Sequence, residues 1–307
     1  GFDPVLIMFI LSTFMAFITA VSIANGFRFL IFHISGFLMV LIITNLFKNE
    51  RALNRFIQFF IIAVSIAGMY GVAQFIIGVP MDPAQTDINF NEGMPGRVFS
   101  TMHNANSFGA LLILSLPFFY STIRNSKTLI QKAFFLALAF PPLLSLVFTG
   151  SRSAWIAFIG SVLVIVFFTN RKLIPFFIVF GLLGFPYLPE FVQRRVYTIF
   201  NSADSSTSYR LLIYRSVIPV IKDFWVTGVG LGSDNFIAVM QNYGRIINME
   251  YIDFFEQLNI VQYIGDAEIM GSMPAHSHNL YFEILIEKGI LGLLTILWFV
   301  VRTFKKI

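Results

Sequence analysis

His278-Asn279 is followed by nine residues, Leu280 to Lys288, and then by Gly289 and Gly292. An imidazole titrates near neutral pH, so it can take a proton from a hydroxyl during group transfer. This one stands where a long polar segment meets an apolar run, and an ionisable group at a membrane edge is costly enough to point to function. If a helix starts at His278, eleven residues turn through about 1100°, roughly 20° past three full turns. Gly289 then lies under the histidine, and Gly292 about 40° to its other side. Small residues on one face let a neighbouring helix come close. The pattern predicts a proton acceptor at the mouth of a tightly packed helix pair.

A second chemistry is anion binding, which the guanidinium fork suits better than an ammonium does. Thr149-Gly150-Ser151-Arg152-Ser153-Ala154-Trp155 predicts a tight hairpin between two apolar runs. Arg152 there either snorkels to lipid headgroups or clamps a lipid-linked phosphate. Gly150 and the serines allow a close turn, and Trp155 suits a membrane interface. Ser208-Tyr209-Arg210 predicts the N-cap and start of an amphipathic helix to Phe224, with Leu211, Leu212, Ile213, Val217, Ile218, Val220 and Ile221 apolar and a kink at Pro219. Arg210 and Arg215 fall about 140° apart on it. One of them can face a common site; Arg210 is the choice, and Arg215 is a secondary candidate expected to be solvated.

Other constellations are weaker. Phe99-Ser100-Thr101-Met102-His103-Asn104-Ala105-Asn106 precedes an apolar run. Asn104 there caps a helix or hydrogen-bonds a sugar, and His103 is a lesser base candidate. Asn279 is a further secondary candidate. Gly228-Val229-Gly230-Leu231-Gly232 resembles a dinucleotide loop but follows no strand, so it reads as a turn. His276-Ser277-His278 with Asp266 and Glu268 is a poor ligand spacing, and no metal or other cofactor is expected. Glu283 and Glu287, one helical turn apart, read as partners of Lys288 or of another helix.

The elements that must position these residues are membrane helices. The 307 residues are 57% hydrophobic and 12% charged, with a mean hydropathy of +0.78. A soluble domain is nearer about 25% charged. Apolar runs of about 20 residues predict an all-α integral membrane protein, a polytopic helical bundle with about eight spans, and not a barrel. They fall near 4–24, 27–46, 55–78, 105–123, 128–148, 153–169, 173–188 and 279–301. The 38 phenylalanines read as lipid-facing bulk. The first run shows no cleavable-signal pattern. With no cysteine, disulfides, thiolate metal sites and cysteine nucleophiles are excluded. The division is residues 1–188 as a transmembrane bundle, 189–278 as an extracytoplasmic loop with amphipathic helices, and 279–307 as the final helix and cytoplasmic end, in one integrated domain.

Charge predicts the orientation. Lys48, Arg51, Arg55, Arg124, Lys127, Lys132, Arg171, Lys172, Arg302, Lys305 and Lys306 alternate with the other ends of the spans, so they are cytoplasmic by the positive-inside rule. The segments 79–104 and 189–278, and His278 with them, then face outward. The outward set is arginine-rich: Arg28, Arg97, Arg152, Arg194, Arg195, Arg210, Arg215 and Arg245, with Lys222 and Lys288. The high pI follows this topology and does not imply nucleic acid.

His278-Asn279-x9-Gly289-x-x-Gly292, preceded by Gly228-Val229-Gly230, Arg210 and Gly150-Ser151-Arg152, resembles the O-antigen ligase and polymerase superfamily, bacterial membrane glycosyltransferases of the GT-C type. The resemblance runs from about Gly96 to Gly292. It implies a multi-pass protein of the bacterial inner (cytoplasmic) membrane with its active site toward the periplasm or cell exterior. Members carry about twelve spans, so it implies two more helices on each side of those here. It implies a glycan donor on undecaprenyl pyrophosphate and an acceptor sugar hydroxyl. That acceptor is lipid A-core in a lipopolysaccharide ligase, or another lipid-linked repeat in a polysaccharide polymerase. By position, His278 is the essential histidine, and Arg152 and Arg210 are the pyrophosphate-binding arginines. A transporter of lipid-linked glycans is the competing class; it predicts broken polar helices in repeated halves, and no internal repeat is present.

Overall fold

The computed structural model describes residues 3–80, 95–197, 205–240 and 276–305. Arg245, Asp266 and Glu268 lie outside the described residues, and so do the side chains of Ser208, Leu211 and Leu212. Every element among the described residues is helical: α1 (Pro4–Ile18), α2 (Ile23–Leu46), α3 (Glu50–Ile77), α4 (Ala105–Asn125), α5 (Leu129–Phe148), α6 (Arg152–Asn170), α7 (Ile174–Gly184), α8 (Glu190–Tyr197), α9 (Ser205–Phe224), α10 (233–240) and α11 (Leu280–Phe304). Six helical stretches among them are long and apolar enough to cross a membrane. The protein is a multi-pass helical membrane protein.

The span count differs from the eight expected. α1 has 15 residues, short of a full crossing. Arg152–Tyr187 is one 36-residue apolar stretch. It breaks at Asn170 (φ −158°, ψ 86°) and a 3-10 turn, Arg171–Leu173. The 11 residues of α7 rise about 16 Å, too little for a bilayer core of about 30 Å. α7 buries nothing, and Phe176, Phe177 and Phe180 stay exposed, as lipid-facing phenylalanine should.

The chain forms two compact units: Gly1–Leu46 with Ser205–Ile307, here the terminal unit, and Phe47–Asp204, the central unit. The central unit packs α3 against α5 and closes with α4 and α6. Its core holds Ile61, Val64, Phe108, Leu112, Phe119 and Leu146. The α3–α5 seam follows from proline chemistry. Pro142 has no N–H to serve the Leu138 carbonyl four residues back. Ser65 Oγ of α3 donates to that carbonyl instead, at 2.7 Å. Gly68 makes room, since a Cβ there would sit 2.6 Å from Pro142 N, and its own carbonyl accepts from Ser145 Oγ at 2.7 Å. In lipid, such substitute donors are obligatory.

The terminal unit packs α11 against α1, with α2 and α9 alongside. α9 starts at Ser205, so Ser208 lies in its first turn and is not the N-cap expected. The helix continues through Pro219. Ile213, Val217 and Val220 are buried with Val229, Phe236, Met240 and Ile286.

Candidate functional site

At the mouth of α11 the backbone is set residue by residue. Asn279 is the N-cap: its side-chain oxygen accepts from Tyr281 N at 3.0 Å and Phe282 N at 3.2 Å. His278 precedes the helix with φ 52°, a left-handed conformation that a non-glycine residue holds only when its surroundings fix it. Ser277 is fully buried, and its N–H and Oγ both donate to the Glu283 carboxylate, the N–H at 2.6 Å. Glu283 also faces His276 Nδ1 at 3.2 Å. A carboxylate one turn into α11 thus clamps the residue before the histidine.

α9 supplies the other wall. Tyr214 Oη donates to the His278 carbonyl at 3.4 Å, and its ring meets Phe282 edge-on at 5.5 Å between centroids. Arg210, one helical turn before Tyr214, acts electrostatically on His278. The imidazole is held below its ordinary value of 6.5, first by loss of hydration and next by the Arg210 charge; His276 adds to this and Glu283 opposes it. The residue is still surface-exposed. It is therefore accessible and biased toward its neutral, proton-accepting form. Arg215 is exposed on another side of α9, as the 140° separation required.

The helix expected to run from His278 under Gly289 is not continuous. Gly289 has φ 62° and ψ −165° inside α11, a conformation open essentially to glycine alone. The break leaves backbone groups without helical partners, and the glycine-rich segment after α9 satisfies them. Val229 N donates to Ile286 O at 2.7 Å, Gly230 N to Glu287 O at 3.3 Å, and Ile290 N to Trp225 O at 2.7 Å. The Glu287 side chain accepts from Gly232 N at 2.8 Å. Gly289 therefore packs on the Val226–Thr227 backbone and not on a neighbouring helix, while a Cβ on Gly292 would strike Lys288 of its own helix. Residues 225–232 are more than a turn: they strap the broken helix. Lys288, expected on the outward surface, is 4% exposed between α11 and α1, where Nζ donates to Thr13 Oγ1 at 3.0 Å and lies 4.0 Å from the Phe9 ring centroid.

In the central unit, Arg152 opens α6 directly after the Gly150 turn. Gly150 has φ 57°. Arg97 Nε donates to Thr149 O at 2.8 Å and Arg195 Nε to Gly150 O at 3.0 Å. Two arginines distant in sequence thus meet the carbonyl end of α5, where positive charge is favoured. Asn106 Oδ1 accepts from Arg97 Nη2 at 2.6 Å and from Ser151 Oγ at 2.9 Å. Ser151 therefore gives α6 no side-chain cap, and its first turn keeps its positive end beside Arg152. Trp155, expected at an interface, donates Nε1 to Leu146 O at 2.9 Å and packs on the core.

The same unit holds His103-Asn104. Asn104 caps α4 through Asn106 N at 2.8 Å and Ser107 N at 3.1 Å. His103 has φ 55°. Gln74 of α3 fixes the approach, its Oε1 accepting from Ser100 N at 2.7 Å and Phe99 N at 3.2 Å.

His278 and Arg210 are thus brought together in one unit, and Arg152 follows, in the second, a turn whose carbonyls are held by Arg97 and Arg195. Tyr214, Ser277 and Gln74 were not singled out in the sequence, and Arg97 and Arg195 had no assigned role there. Only the four-residue step from Arg210 to Tyr214 was readable as a shared helix face. Among the described residues no group of histidine and acidic side chains has metal-binding geometry.

No curated protein and no solved structure matches the chain. A family model, described as O-Antigen ligase, matches residues 133–297. That match covers more than half of the chain and takes in Arg152, Arg210, the glycine strap, His278 and the broken helix. The chain belongs to the O-antigen ligase family.

Proposed function

We propose that this protein moves a glycan from undecaprenyl pyrophosphate to an acceptor sugar hydroxyl, with His278 as general base and Arg152 and Arg210 on the pyrophosphate. Lipid A-core is the acceptor in this reading; a lipid-linked repeat would make the same chemistry a polymerase. The observation that carries the reading is the pairing of an exposed histidine, biased neutral, with an arginine at the mouth of α11. The imidazole takes the hydroxyl proton as the oxygen attacks the anomeric carbon. The bond from that carbon to the pyrophosphate oxygen breaks, and the lipid pyrophosphate leaves with the electron pair. Attack opposite the leaving group inverts the anomeric centre. Arginines placed where negative charge grows in a poorly solvated cleft stabilise it strongly. The positive end of α6 beside Arg152 favours the same charge. Asn279 and Asn104 cap helices in this reading, and His103 and Arg215 are not in the reaction.

The positive-inside pattern supports an inner-membrane protein with this site toward the periplasm or exterior. The test uses the full chain in a deletion strain and in reconstituted membranes. His278→Ala and Arg210→Ala abolish transfer while the protein still inserts. Near-native transfer by either stable variant would sink the assignment. Long glycan left on the carrier lipid in the deletion strain identifies a ligase; single repeats identify a polymerase.

A further inference from the structure

At the end of α3 remote from Gln74, the central unit has an open cleft of about 510 Å³ between α3, α4 and α5. Asn54 and Gln58, one turn apart on α3, face it with Lys127 from the α4–α5 connection. Among the described residues these three side chains make no hydrogen bond or ion pair. Three other polar lining residues are engaged locally: Asn125 Nδ2 donates to Ser121 Oγ, Ser126 Oγ to Thr122 O, and Gln131 closes the capping box of α5. The floor is Ile57, Phe134 and Phe135, with Ile130 beside Lys127. Ile130 is 82% exposed and Phe134 54%, so the floor runs onto the apolar outer surface of the bundle.

The surrounding charge has one sign. The two connections at this end and the helix turns beside them carry Lys48, Arg51, Arg55, Arg124, Lys127 and Lys132 against Glu50 alone. Arg124 lies on Tyr120. The other five cations form no ion pair among the described residues. Arg51 stands three residues before Asn54 and seven before Gln58, on the same helical stripe. Positive topology alone explains an excess of cations here. It does not by itself bring two exposed amides and an ammonium to one cleft with an apolar lining.

We propose that this cleft binds the headgroup of an anionic phospholipid. Lys127 meets the phosphodiester, the amides of Asn54 and Gln58 donate to its oxygens, and the acyl chains run over Phe134 and Ile130 into the bilayer. Basic pockets between helix ends are built for such headgroups, and the volume suits a headgroup with its first methylenes. A free phosphate would use the cations and leave the apolar floor bare. The proposal does not depend on the transfer reaction.

The test is native mass spectrometry of the purified full chain, delipidated and offered phosphatidylglycerol, phosphatidylcholine or inorganic phosphate. One phosphatidylglycerol is retained per chain, with a preference over phosphatidylcholine of roughly fivefold or more, as one cation near a membrane surface supplies. Lys127→Gln and the double variant Asn54→Ala, Gln58→Ala each lose that preference, while Lys132→Gln, outside the cleft, keeps it. If Lys127→Gln fails to fold, the double variant decides. Equal retention of the two lipids, or retention unchanged in the folded variants, overturns the proposal. Displacement by millimolar inorganic phosphate also overturns it, and assigns the cleft to a soluble anion.

Discussion

The mouths of α4 and α11 share a dipeptide and a backbone. Each has a left-handed histidine, His103 at φ 55° and His278 at φ 52°. Each has an extended asparagine next, Asn104 at φ −141° and Asn279 at φ −139°, whose side chain caps the helix. The surroundings differ. The ring of His103 lies beside Phe99, on a segment tied down by the neutral amide of Gln74. His278 lies in the field of Arg210, His276 and Glu283. Further along, eleven residues from each histidine, α4 has Leu114, exposed on an ordinary helix, and α11 has Gly289 at a break. A His-Asn start is thus a local device for launching a helix. The candidate chemistry comes from what α9 and its strap bring to one of the two.

The largest expected effect separates the histidines by function. His278→Ala should lower transfer by about 10² to 10⁴, the usual scale for a lost general base, while His103→Ala should stay within a few-fold. Equal losses in a reconstituted transfer assay would erase the distinction. Next comes the strap. Gly289→Ala forces a side chain into the Val226–Thr227 backbone at a glycine-only φ, and should destabilise the folded protein in detergent by at least about 1–3 kcal/mol. Leu114→Ala, on an exposed face, should cost within about 0.5 kcal/mol. Thermal melts of the two variants that coincide would mean the break in α11 is not held by its strap.

The asparagines are where the two mouths should agree. Asn104→Ala and Asn279→Ala each remove two capping bonds and should each cost about 1 kcal/mol. A tenfold larger loss of transfer for Asn279→Ala, beyond its stability cost, would place Asn279 in the reaction. The smallest effect is in pH. His278 must be neutral to act, and its pKa is lowered. Transfer should therefore rise with pH through a midpoint below 6.5. Arg210→Gln removes a cause of that lowering, so in whatever activity remains the acid limb should move up. An unchanged limb would remove Arg210 from the field at His278.

Much of this was legible locally. Hydropathy located the apolar helices because burial in lipid is read one segment at a time. Asn104 as a cap was readable from its place before an apolar run. The direction of Arg215 followed from helical geometry alone. Gly289 and Gly292 were also visible, but spacing makes a packing groove and a helix break look alike. Only the strap, arriving from residues 225–232, decides between them. The span count differs at α1 and α7, apolar runs whose helices end short of a full crossing, and hydropathy alone does not show where a helix stops. The arginines around Gly150 were hidden for a different reason. Arg97 and Arg195 lie far apart in sequence, and no pattern in either segment announces the other.

The broken helix also bears on how the protein is made. From Ile290 to Phe304 the lower part of α11 rises about 22 Å, short of the roughly 30 Å that a bilayer core demands. The upper turns become insertable only when Val229 and Gly230 have taken the carbonyls at the break. The strap precedes α11 in the chain, so it is already synthesised when α11 leaves the insertion machinery. Membrane integration of α11 is then a folding step that waits on a tertiary contact. A change in Gly228 or Gly230 would first be seen as a chain that stalls at, or slips back from, the membrane.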